Sequence, residues 1–286
     1  MLRQFTSILF FIVLVAAFGA AHAEEDGPAL SFGGGYTGKA DVGDHDGSVS
    51  VTHFQAGASW RGLGLSYGLD AYSWDKLSDL PFGGGKKPWD RLHCLDLSYS
   101  MDDNPWGDFG YFAFASGGAA YEEELGGWNG GIGGGLNWQA TDTLSLGLGV
   151  AVGADVRGVH LGPLVSVNWD GREDGAGPFV FLGMPSTQVG YSFSRALALR
   201  LAYECQDEIY RLRDDSPVIR DGYMRVRGQK LGLFADWSPL ESLTLTGGVG
   251  WEFDRHFESY DRKGNKSSRY GVDSAPGISC DLNWTF

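Results

Sequence analysis

Along much of the chain, large apolar residues fall at every second position. Leu144, Leu146, Leu148, Val150, Val152, Ala154 and Val156 alternate with Ser145, Gly147, Gly149, Ala151, Gly153 and Asp155. A period of two places these side chains on one face of a strand, whereas a helix would scatter them around its circumference. Leu63 to Ala71, Leu197 to Cys205, Leu243 to Phe253 and Ile278 to Phe286 repeat the pattern. Such runs are about 10 to 14 residues long, against about 5 or 6 for an ordinary soluble strand. A tilted strand needs about 9 to 11 residues to cross a bilayer. The second face is mainly Gly, Ser, Ala and Thr with scattered charges, which suits a narrow lumen better than a solvated sandwich face.

The expected fold is all-β: a closed antiparallel transmembrane β-barrel. Strands are predicted near 29–38, 49–60, 63–74, 91–101, 108–121, 127–139, 144–156, 158–169, 195–208, 222–237, 243–256 and 270–286. Residues 178–193 read as two strand-like pieces broken by Gly183-Met184-Pro185-Ser186. They form a further hairpin or stay outside the wall, so the count is 12 or 14. Connections at 61–62, 102–107, 140–143, 194–195 and 238–242 are short, and those at 39–48, 75–90, 208–221 and 257–269 are long and polar. Short turns on one side and long loops on the other are the layout of an outer-membrane barrel. Trp60, Trp74, Trp138, Trp169, Trp237 and Trp284 fall at or near strand ends, where an indole suits headgroup depth.

Residues 1–23 read as a cleaved signal peptide, with Arg3, an apolar run from Ile8 to Phe18 and Ala21-His22-Ala23 before the cut. Residues 24–286 are then one barrel domain. The chain ends Ile278-Ser279-Cys280-Asp281-Leu282-Asn283-Trp284-Thr285-Phe286. This resembles the last strand of bacterial outer-membrane β-barrel proteins, and beyond that the chain is most similar to outer-membrane barrels of uncharacterised function. The resemblance implies that Trp284 and Phe286 carry the signal read by the barrel-assembly machinery. It also implies a Gram-negative outer membrane.

Composition narrows the chemistry. The 286 residues include 45 Gly and carry a net charge of −14, which argues against nucleic acid as a partner. Three Cys (Cys94, Cys205 and Cys280) show no Cys-x-x-Cys spacing, and alternation puts Cys205 and Cys280 on the apolar face. Alternation points Asp70, Asp96, Asp155, Arg200, Glu204, Lys230, Asp236, Glu252, Asp254 and Asp281 into the lumen. They line a solute path or form an internal salt-bridge network. Arg211, Arg213, Arg220, Arg225, Arg227 and Lys230 make a basic cluster in an acidic chain. Arginine suits phosphate, so the five Arg are candidate contacts for lipopolysaccharide, alongside other outer-membrane lipids. Residues 41–47 lack the full pattern of a calcium loop. No hydrolase, P-loop or metalloprotease motif is present, and His256 with Ser259 is the nearest approach to a lipid hydrolase. The expectation is no cofactor, no metal and no catalysis. The leading reading is a passive channel for small solutes, with a structural or surface-interaction barrel whose lumen is plugged as the alternative.

Overall fold

A computed structural model describes residues 27–286. The expected signal segment lies outside the described residues. The described chain forms one antiparallel sheet from β1 (Ala29–Asp41), β2 (Ser48–Trp60), β3 (Leu63–Asp75), β4 (Arg91–Trp106), β5 (Phe109–Tyr121), β6 (Trp128–Thr141), β7 (Leu144–Asp155) and β8 (Gly158–Asp170), continuing through β9 (Gly177–Leu182), β10 (Ser186–Ser194), β11 (Leu197–Arg211), β12 (Tyr223–Leu240), β13 (Leu243–Tyr260), β14 (Lys266–Val272) and β15 (Ala275–Thr285). Consecutive strands pair from β1 to β14, β15 pairs with β13, and β1 closes the ring on β15 from Ala29↔Thr285 to Thr37↔Gly277. β14 and β15 keep one register on β13, with Arg255↔Val272 and Glu252↔Ala275. They are two halves of one stave, broken at Asp273-Ser274. The barrel therefore has fourteen staves. Residues 178–193 enter the wall as the β9–β10 hairpin, which decides between the two strand counts.

The alternation explains the wall. Leu63, Leu65, Leu97, Leu148, Val150, Leu199, Leu201, Leu233, Val249 and Ile278 are exposed and face outward. An apolar band running round a closed barrel is a lipid-facing surface. Trp60, Trp138, Trp169, Trp237 and Trp284 are exposed toward the end with short turns, joined by Trp106, Phe109 and Phe286; Tyr36, Trp128 and Trp251 mark the other boundary. Trp74 departs from the expected girdle. It shares the inward register of Asp70 and Tyr72, and its indole N–H donates to the Trp89 carbonyl at 2.7 Å. At the β2–β3 turn, Arg61 and Gly62 have φ of 50° and 80°. A two-residue turn with both φ positive matches the twist of the strands it joins.

The outer rim is uneven. β12 and β13 run 18 residues each; β11 extends into the expected loop at 208–221 as far as Arg211, and β13 and β14 take up 257–260 and 266–269 of the loop expected at 257–269, so these ends are strand rising above the lipid band. β9 and β10 have only six and nine residues. β8 pairs with β9 only across Val167–Asp170, and β11 pairs with β10 only as far as Glu204↔Ser186. Above that notch the barrel is pinched. Arg211 of β11 pairs with Tyr121 of β5, and the Glu122 N–H donates to the Arg211 carbonyl at 2.9 Å. Asn129 of β6 donates to Glu208 of β11 at 3.2 Å, and Gly264 lies against the Val156 carbonyl. Outward-register positions high on β11 are thereby covered: Ile209 is 0% exposed.

The β3–β4 connection, expected to be a polar loop, instead supplies Leu80, Phe82 and Trp89 to a buried cluster with Val42, Val49, Val51, Tyr72, Leu92, Met224 and Phe257. Trp89 meets Trp74 edge-on at 4.9 Å and stacks on Phe82 at 5.9 Å. These residues form an apolar stopper in the outer part of the barrel.

Candidate functional site: the lumen beneath the stopper

The lumen below the stopper has two unlike walls. One is charged and built by β2, β3, β11, β12, β13 and β15. Arg200 donates to Asp236 at 2.9 Å, and Thr246 donates to the same carboxylate at 2.7 Å. Gln55 donates to Asp281 at 3.1 Å. Lys230 lies in register between Glu204 and Glu252. The Arg200 and Lys230 cations sit 4.6 Å and 5.4 Å from the centre of the Phe234 ring, a favourable placement for a cation over a π face.

The opposite wall is aromatic. Phe112 and Phe114 of β5 pair with Gly135 and Gly133, and Phe179 of β9 pairs with Gly190. Each ring lies over its glycine. A Cβ at Gly135 would come within 2.7 Å of Phe112 Cζ, and at Gly133 and Gly190 it would enter the Phe114 and Phe179 rings. Phe181 lies likewise over Gly183, at 2.8 Å from its Cβ direction. All four rings are half-buried. The glycine excess is used here, because only a residue without a Cβ lets a ring lie flat on the neighbouring strand. Sequence reading missed these phenylalanines by attending to charge. The available signal was their inward register opposite glycine.

A hydrogen-bonded relay runs along the lumen wall under the stopper, over the neighbouring staves β3, β2, β1 and β13. His53 Nδ1 is 2.7 Å from Asp70 Oδ1, and His53 Nε2 is 3.0 Å from Thr37 Oγ1. Thr37 donates to Glu252 at 2.6 Å. Thr37 gives its one hydroxyl proton to Glu252 and turns a lone pair to Nε2, and Asp70 faces Nδ1, so both ring nitrogens of His53 meet oxygens that can accept. Arg255 approaches the other Glu252 oxygen at 3.4 Å.

Of the other residues expected in the lumen, Asp155 is closed off by Arg157 and by His160 at 3.4 Å. Asp96 accepts from the Cys94 thiol at 2.9 Å. Asp254 does not face the lumen. A bulge with φ 50° turns it to accept from Gln229 at 3.0 Å, on the face of lipid-exposed Leu231 and Leu233. The three thiols are unpaired, and no group of three metal-ligating side chains gathers among the described residues.

The basic cluster does not act as one surface. Arg225 is 4% exposed and bonds Asp207 and, at 3.1 Å, Glu258, so it is withdrawn from any outer-leaflet phosphate. Arg211 pairs with Asp214 and Asp221, and Arg213 with Glu122, Glu123 and Asp215. Arg227 is half-buried, and its Nε is sequestered from water. Arg220 is exposed. Above the lipid band, burial pushes the Glu258 carboxyl up, but hydrogen bonds from Lys266 and Tyr260 and the charge of Arg225 prevail and hold it at about 2. Arg213 also borders an outer cleft of about 480 Å³ with Lys87, Arg91, His93 and Glu122. There burial raises the Glu122 carboxyl against the opposing bond from the Arg213 amide. His256 and Ser259 form no nucleophile–base pair. The imidazole contacts the Asp254 carbonyl at 2.9 Å and Arg269 at 2.7 Å, and Ser259 is buried.

No protein-family description and no curated protein sequence matches the chain. Solved barrels of similar architecture include an outer membrane channel from Pseudomonas putida F1, at 11% identity and a TM-score of 0.43 over 94% of this chain and 98% of that one. The NanC porin gives 10% and 0.39 over 90% and 100%. The P. putida toluene transporter TodX gives 12% and 0.35 over 91% and 90%. At this distance the likeness concerns fold alone.

Proposed function

We propose that the protein is a passive channel for small solutes in a Gram-negative outer membrane, with its outer mouth stoppered in the conformation described. The observation that carries this reading is the contrast between lumen and stopper. The lower lumen holds charges and exposed polar groups such as Gln55, whereas in the outer part Leu80, Phe82 and Trp89 of a connecting loop fill the space between wall strands that are themselves pinched together. A loop can leave without breaking a ladder. Single-channel recording in planar bilayers tests this. Wild type is expected to open rarely, and Phe82→Ala/Trp89→Ala is expected to conduct more often. Silence from both would overturn the reading and favour the structural, plugged barrel, which the stopper equally supports.

No catalytic step is assigned, because the arrangement that came nearest, His256 with Ser259, is not assembled. The carboxyl-terminal strand supports assembly through the cell's barrel machinery: Trp284 and Phe286 are exposed and stack at 4.7 Å. Before the ring closes on β1, the still unpaired edge of this strand can add to another sheet. The exposed Arg220 supports a lipopolysaccharide contact. Export fits removal of residues 1–23, and intact mass of the membrane form is expected to correspond to a chain starting at Glu24.

A further inference from the structure

We propose that the outer cleft beside β4 and β5 binds the headgroup of a membrane lipid that carries both a phosphate and a primary ammonium. Down β4 one register runs Arg91, His93, Leu95, Leu97 and Tyr99, and Leu97 is 58% exposed in the lipid-facing band. The alternate residue Leu92 is buried in the stopper, so Arg91 and His93 lie on the outward face. Arg91 pairs across the ladder with Ala71, Ala71 with Thr52, and Thr52 with Tyr36. Tyr36 marks the outer boundary of the lipid band. The charged part of this face therefore begins where its lipid-facing leucines end. A cleft of about 480 Å³ opens there, within the range of an ordinary small-molecule pocket. An acyl chain lying on Leu95 and Leu97 would bring its headgroup to the cleft without leaving the wall.

Charges in the cleft are separated. Lys87, Arg91 and His93 come from β4 and the connection before it, whereas Glu122 and Glu123 follow the end of β5. Arg91 is exposed and makes no ion pair among the described residues. Lys87 pairs with Asp90. The Glu122 side chain is only 4% exposed, and its Oε2 accepts from the Arg213 amide at 3.0 Å. Its Oε1 stands 3.9 Å from the Arg213 guanidinium, and Glu123 stands 3.7 Å from it, both too long for a hydrogen bond. The Arg213 Nε is enclosed, and its 3.3 Å approach to Asp215 is not a hydrogen bond. Carboxylate oxygens and guanidinium hydrogens thus remain for a ligand. A primary ammonium brings three N–H donors for Glu122 and Glu123, and a phosphate suits the Arg91 guanidinium. Lys87, Arg91 and Arg213 are balanced by Asp90, Glu122 and Glu123, so a purely anionic headgroup would meet as much repulsion as attraction.

The test uses the full-length barrel in detergent, with lipid retention read by native mass spectrometry. Phosphatidylethanolamine is expected to be retained about tenfold over phosphatidylcholine, whose ammonium has no N–H, and over phosphatidylglycerol, which has no ammonium; tenfold is the effect of about one hydrogen bond to a charged group. Arg91→Gln and Glu122→Gln are each expected to remove most of that preference. Gln at 122 keeps an acceptor for the Arg213 amide, and Arg91 is exposed, so its variant reads the site even where Glu122→Gln loses the boiling-dependent gel shift of a folded barrel. Arg262→Gln removes an exposed cation of the β13–β14 connection and is expected to leave the preference unchanged. Soluble O-phosphoethanolamine, which has the headgroup and no chain, is expected to compete only weakly. Equal retention of the three lipids, an unchanged preference in Arg91→Gln, or an equal loss in Arg262→Gln would overturn the proposal. Competition by O-phosphoethanolamine as strong as by the lipid would overturn the lipid as the source and assign the cleft to a soluble zwitterion.

Discussion

Glu258 shows how a single charge is held above the membrane. Its carboxyl is depressed to about 2 by Lys266, Tyr260 and Arg225, against about 4.3 for a free glutamate. A depressed acid stabilises the fold fully above its unfolded pKa and loses that contribution as pH falls toward the folded one. Thermal unfolding of wild type and Glu258→Gln is therefore expected to differ most above about pH 5 and to converge toward pH 2. A constant gap across this range would contradict the assignment. At His53 both ring nitrogens face oxygens that can accept a hydrogen bond. Nitrogen NMR of the imidazole at neutral pH is expected to show both nitrogens protonated, and a neutral tautomer would mean that the relay is misread. Neither site was visible in sequence. Asp70 and Glu252 could be assigned to the inner face by alternation, but His53 and Thr37 join them only because the β1–β2–β3 register brings these positions side by side.

Among elements, strands were legible where apolar and small residues alternate without a break, as in β3, β7 and β11. The β9–β10 hairpin was ambiguous because its two strands are short and the break between them is as prominent as the pattern. The tall ends of β11 and β13 were read as loops because charged and polar residues interrupt the apolar pattern there, and charge suits a strand once it rises clear of lipid. The β3–β4 loop was the largest surprise. Its Leu80, Phe82 and Trp89 are too widely spaced to show a period, yet tertiary contact buries all three. Trp89→Ala is expected to cost about 3–5 kcal/mol of stability, as for other buried aromatics, measured by denaturant unfolding in detergent. A loss well under 1 kcal/mol would mean the stopper is loosely packed. The upper half of β8 lacks a β9 partner from 158 to 166. Pro163, which has no amide hydrogen, falls within this stretch and suits an edge. Amides of 158–166 that point away from β7 are expected to exchange faster than those of β7; uniform protection would show the notch to be filled.

For the molecule as a whole, the outward band and the turns at one end follow from sequence period alone, and closure of the ring follows from the need to leave no open edge in lipid. The two-sided lumen did not follow from sequence. It depends on which staves end up opposite one another, and that is fixed by strand count and stagger rather than by any local signal. A folded barrel is expected to migrate differently on a gel before and after boiling. An unshifted band would count against the architecture itself.

The shortened β9–β10 hairpin gives the cylinder a weak flank at a known place. Elsewhere each stave is stitched to both neighbours along most of its length, but here the upper edge of β8 has no ladder partner and β11 is held across the gap only by its contacts with β5 and β6. Heat or pulling force would start to unzip the sheet at this flank, so the loss of the barrel has a fixed point of departure even though the barrel itself has no beginning or end.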